Sequence, residues 1–135
     1  MSIKPAATVL VAVRLLAALG TAGSAIAAGR PELKVYFQSN LEDVAYQKKT
    51  FDRVAKGWKT PGASQIPEVG KKTVVQAVIA KDGKLISAVV SLSSGKKGWD
   101  TAVLKAVTSA SPFDPLPAGF KPRSVEVHFH VSVVP

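Results

Sequence analysis

The chain has 135 residues, one domain's worth, and once a leader is set aside it can bury only a modest core. It contains no cysteine, which removes disulfides and thiolate metal ligands, and its 18 lysines and arginines against 9 acidic residues give a formal charge of +9. Such a balance favours acidic partners.

Residues 1–27 read as a secretory signal peptide. Lys4 and Arg14 give a positive front, residues 15–22 a short apolar run, and Ala25-Ile26-Ala27 a small-x-small cleavage site. Cleavage there predicts an exported, periplasmic protein starting near Ala28 or Gly29. The alternative is an uncleaved anchor, through which alone the chain would touch a membrane. A spanning helix needs about 20 apolar residues, and Arg14 in mid-span would cost about 3 kcal/mol, so cleavage fits better. Residues 28–42, with Pro31, are expected to be a flexible lead-in, and residues 43–135 the folded domain.

From Glu42 to Trp58 the apolar period is helical. Phe51, Val54, Ala55 and Trp58 fall at i, i+3, i+4 and i+7, with Val44 and Gln47 before them, while Lys48, Lys49, Asp52, Arg53 and Lys56 take the other side. Asn40 or Asp43 can cap the start, and Lys59-Thr60-Pro61-Gly62 ends it. The basic side carries no interleaved aromatics for base stacking, so nucleic acid is not the expected partner.

Residues 73–80 and 85–92 are β-branched runs on either side of Asp82-Gly83, the signal for a hairpin with a type I′ turn. Val75, Ala77 and Ile79 are expected to face the core from the first strand, and Ile86, Ala88, Val90 and Leu92 from the second. Ser93-Ser94-Gly95-Lys96-Lys97-Gly98 leads out of the hairpin; its spacing fits a strand-to-helix turn and no phosphate-loop pattern. Asp100 is placed as the N-cap of a second helix, with Ala102, Val103, Ala106, Val107 and Ala110 forming a small-residue stripe, and Ser111-Pro112 stops it. The proline-rich stretch 112–122 is an ordered connection, with Phe113 and Leu116 closing the end of the core. In residues 124–133 Val125, Val127, Phe129, Val131 and Val133 alternate inward while Glu126, His128, His130 and Ser132 point out.

These elements imply an α+β fold, α-β-β-α-β, with both helices on one face of a three-stranded sheet. If the second helix returns the chain to the start of the 85–92 strand, the strand order is 2-1-3 and the last strand is an edge. Between Ser124 and Val133 the only charge is Glu126, so that edge is little protected and could take a partner's strand through its backbone. Glu126, His128 and His130 would tune the choice of partner. Proline at Val127 or His128 would then abolish binding and spare the fold.

The Asp82-Gly83 hairpin, Ser93-Ser94-Gly95, Trp99-Asp100 with Ala106-Val107, Pro112-Phe113, Pro115-Leu116-Pro117 and the last alternating strand together resemble the C-terminal domain of the TonB and TolA energy transducers. The resemblance covers about residues 43–133. It implies a periplasmic module of a Gram-negative envelope, without catalysis or cofactor. Its partners would be envelope proteins, an outer-membrane receptor or a Tol-type component, bound along Val125, Glu126, Val127, His128, Phe129, His130 and Val131. The long spacer of those transducers is not evident, since residues 29–42 reach at most about 50 Å.

Two other classes stay open. A basic surface protein could adhere to anionic envelope polymers, with binding that collapses in salt. His128 and His130, at i and i+2 on one side of a strand, could hold a metal, although no third histidine and no cysteine exists to complete the set. No metal ligand is therefore assigned. Serines are plentiful, but no Ser-His-acid spacing argues for catalysis.

Overall fold

A computed structural model describes residues 29–135 and, before them, the backbone of Val9–Arg14. The rest of the expected signal peptide lies outside the described residues. The strands are β1 (Val9–Arg14), β2 (Arg30–Phe37), β3 (Lys72–Ala80), β4 (Leu85–Leu92) and β5 (Ser124–Val134), and the long helices are α1 (Val44–Lys56) and α2 (Lys97–Ser109). They form one antiparallel sheet in the order β1-β2-β5-β3-β4, with the helices packed into the core on one side.

The α+β class holds, but the sheet is not the expected three strands in the order 2-1-3: β4, β3 and β5 keep that order among themselves, and a further strand beyond β5 changes the order of the sheet as a whole. Residues 30–37, expected to be part of a flexible lead-in, are a strand, so that four strands lie between Arg30 and Val134. In β2 the residues Pro31, Leu33, Val35 and Phe37 alternate inward and Arg30, Glu32, Lys34 and Tyr36 outward, the period-2 pattern of a half-buried strand. This strand pairs along β5 from Arg30↔Val134 to Phe37↔Val127, while β3 pairs along the other side from Lys72↔Ser132 to Ala80↔Ser124. The last strand is therefore interior.

The helix α1 begins where Asp43 accepts a hydrogen bond from the Tyr46 backbone N–H at 2.8 Å, one of the first-turn donors that no carbonyl can reach. Phe51 and Val54 are buried as its spacing demands, and Trp58 meets Trp99 edge-on with ring centres 5.0 Å apart. Gln47 is also buried, because its Nε2 donates to the Leu41 carbonyl; Val44, by contrast, is exposed. In α2 the small stripe Val103, Ala106 and Val107 is buried against the sheet, with Trp99 at its head.

Three local details differ from the sequence reading. Gly83 alone takes positive φ (+93°), with Gly83 N–H donating to the Ala80 carbonyl, so the turn is not type I′, which needs two such residues. A β-bulge at each end of β4 breaks its alternation: Ala88 and Val90 pair with the core-facing Ala77 and Val75, whereas Leu92 pairs with Val74 on the opposite face. Finally, α2 starts at Lys97, one turn before Asp100, so Asp100 is not its N-cap.

The proline-rich connection docks on the hairpin as expected. Phe113 and Leu116 are buried, the Phe113 N–H donates to the Gly83 carbonyl (2.9 Å), and Phe113 stacks on Phe129. Asp114 is clasped by Arg53 Nη2 at 2.7 Å, with Lys49 beyond, which ties this loop to α1. The hydrogen bond from Arg53 holds its carboxyl below the usual carboxylate range.

Candidate functional site

The seven residues expected to bind a partner all lie on β5, and the structure divides them. Val125, Val127, Phe129 and Val131 are buried in the core beneath the helices. Glu126, His128 and His130 sit on the opposite, open face of the sheet. The expected mechanism, strand addition to the backbone of β5, fails because both flanks are occupied: residues 127–132 pair with β2 and β3 at once, and the Gln38 N–H extends the β2 side to the Glu126 carbonyl.

Removing β2 to clear that flank would be expensive. Leu33, Val35 and Phe37 each have 0% exposure, and uncovering three such side chains costs about 5–9 kcal/mol, comparable to the whole stability of a small domain. The β5 flank is a seam of the fold.

On the open face the registers align side chains from neighbouring strands. Tyr36, His128, Gln76 and Val89 form one row across the sheet, and Lys34, His130, Val74 and Leu92 the next. His128 Nε2 contacts the Glu126 carboxylate and lies 3.4 Å from Gln76 Nε2. The His130 ring packs on Tyr36, with ring centres 4.6 Å apart. Its burial there, with Lys72, His128 and Lys34 around it, lowers its pKa from the usual 6.5 to about 4. His130 is thus neutral at physiological pH. Among the described residues no group of three or more His, Asp or Glu could hold a metal ion.

Asp100 has the densest polar contacts. It accepts from the Ser93 hydroxyl, from Ser94 through both backbone N–H (2.9 Å) and hydroxyl (2.8 Å), and from the Thr73 hydroxyl. Burial pushes its carboxyl up, and these donors from Ser93, Thr73 and Ser94 more than offset that, leaving it below the ordinary value. With its donors supplied by β3, the exit of β4 and their junction with α2, this carboxylate fastens the Ser93-Ser94-Gly95 turn. The sequence showed Asp100 as notable but gave it the wrong task.

What the sequence reading missed, although its order 2-1-3 already leaves the 85–92 strand at an edge, is the apolar surface of β4. This strand ends the sheet, and among the described residues its backbone bonds only to β3. Ile86 (59% exposed), Val89 (55%), Val90 (37%) and Leu92 (47%) supply four of the six large apolar side chains exposed on the described surface. The signal was available in Leu85-Ile-Ser-Ala-Val-Val-Ser-Leu92, a strand without charge or proline.

Among the described residues no helix is long and apolar enough to cross a membrane. The family model for the TonB C terminal matches residues 44–129, from the start of α1 to the middle of β5. No curated protein and no solved structure matches the chain.

Proposed function

Because the chain belongs to the TonB C-terminal family, we propose that it is a non-catalytic periplasmic module that binds envelope proteins in TonB-type transport, its partner being an outer-membrane receptor or a Tol-type component. The observation that carries this reading is the family match itself, which takes in α1, the hairpin, α2 and most of β5. Family membership supplies the envelope setting and the protein-binding role. The architecture is consistent with it: the helices cover one face of the sheet, and the other presents Glu126, His128 and His130 with Tyr36, Lys34 and Gln76 beside them. Those side chains are offered to a partner as a set, positioned by the buried Val125, Val127, Phe129 and Val131.

Catalysis has no comparable support. The carboxylate with the most contacts, Asp100, spends them on holding a turn, and the His128–Glu126 pair lies on an open sheet face where water is not excluded.

The test is crosslinking in cells of the native host with the full chain. A photoreactive residue at position 128 or 130 is expected to capture envelope proteins, and one at Lys48, on the outer side of α1, is not. Capture from Lys48 alone, or recovery of the chain in the cytoplasm, would overturn the proposal.

A further inference from the structure

We infer that the free edge of β4 is a docking strand for an extended segment of a partner protein carrying acidic residues at both ends of a short apolar stretch. This rests on the protein-binding reading above and adds to the open face an adjoining contact at the sheet edge, with its binding mode and the chemistry of the partner.

Three observations converge on β4. Among the described residues its outer side has no backbone partner for the N–H and C=O groups along residues 85–92, and such a row is a template for another strand. Between the two bulges the pairing with β3 is regular, from Gln76↔Val89 to Val78↔Ser87, so the middle of the edge is presented straight. Moreover Val89 and Leu92 project to the open face while Val90 lies on the helix side, so apolar side chains flank the edge above and below.

The charge at the two ends selects the occupant. Lys84 precedes the strand and Lys96 and Lys97 follow it, none in an ion pair among the described residues. The acidic residues close by in sequence are engaged: Asp82 accepts from the Lys84 backbone N–H, and Asp100 holds Ser93, Ser94 and Thr73. A second copy of the chain is the poorer occupant. In a two-fold antiparallel pairing Leu85 would oppose Leu92 and Lys84 would oppose Ser93, which brings Lys84 of one copy beside Lys96 and Lys97 of the other at each end. An acid-ended segment meets the same lysines with opposite charge.

The experiment uses the purified full chain and two synthetic ten-residue peptides sharing a Val-Thr-Val-Thr-Val-Thr centre, one with Asp-Asp at each end and one with Lys-Lys. Titration calorimetry is expected to show the acid-ended peptide binding about tenfold tighter at low salt, with the advantage shrinking as salt rises. The double variant Lys84→Glu, Lys96→Glu should reverse the preference. Along a strand successive N–H groups point to opposite sides, so one of Val89→Pro and Val90→Pro should abolish binding while the domain stays folded. Equal binding of both peptides, an unreversed preference in the charge variant, or a concentration-dependent dimer that excludes the peptide would each overturn the inference. If crosslinking from 128 and 130 still finds envelope partners while the peptides do not bind, this inference fails and the proposed function stands.

Discussion

The order expected from sequence puts both β4 and β5 at an edge of the sheet, and only β4 is one. The cleanly alternating β5, with Glu126, His128, His130 and Ser132 on one side, is the edge to which the sequence reading assigns a partner; the uncharged β4, the other edge in that reading, is assigned none. In the structure β5 is paired on both flanks and β4 ends the sheet. Alternation reports what lies above and below a strand, because side chains point there. It does not report what lies beside the strand, where only the backbone, common to all residues, makes the bonds.

The sharpest way to break this comparison is proline. Val127→Pro removes a ladder donor from a strand paired on both sides and should unfold the domain, a loss of about 3 kcal/mol or more, visible as the disappearance of a cooperative thermal transition. Survival of the fold would return β5 to an edge. Next in size is truncation of apolar side chains. Phe129→Ala, in the core against Phe113, should cost about 3–5 kcal/mol in urea unfolding, and Ile86→Ala on β4 within about 0.5 kcal/mol of nothing. Similar losses at both positions would mean that β4 is covered.

Gly83→Val sharpens the comparison at the hairpin turn that carries β4. The positive φ there costs a branched residue about 1–3 kcal/mol, and the new Cβ would stand 2.0 Å from the Phe113 carbonyl oxygen, adding to that loss. A variant as stable as the parent would show the proline-rich loop is not seated on the turn. The last effect is one of pH. His130 binds its proton less readily folded than unfolded, so the unfolded chain takes up more protons between pH 6.5 and about 4 and stability falls as pH drops through that window, then levels off. His130→Gln should flatten this slope in melting curves taken at pH 7.5 and 4.5; an unchanged slope would assign it to other groups.

Much of the fold was legible because it is written in side chains. The i, i+3, i+4, i+7 spacing of Phe51, Val54, Ala55 and Trp58 marked α1, the two apolar runs around Gly83 marked the hairpin, and the valines of β5 marked its buried face. Arg30–Phe37 was missed although Leu33, Val35 and Phe37 alternate, since Pro31, Glu32 and Lys34 made it read as polar lead-in. That single omission moved the edge of the sheet and with it the candidate site. The bulges in β4 were not legible, since they arise from how the edge twists against β3.

The β2–β5 seam also sets an order of assembly. Arg30 binds the Pro135 carbonyl across a sequence separation of 105, whereas the hairpin closes over a few residues; by loop-closure entropy the long closure costs about 3 kcal/mol more. The unit from β3 to α2, fastened by Asp100, can therefore form while β2 still waits for β5. Through synthesis the flank of β2 that will take β5 stays empty, and the residues that hid the strand from sequence reading suit that interval: Pro31 removes a donor, and Glu32 and Lys34 make a chance pairing with another nascent chain unfavourable. In refolding, probes at Tyr36 should report order later than probes at Trp99, and simultaneous signals would mean that the seam closes with the rest.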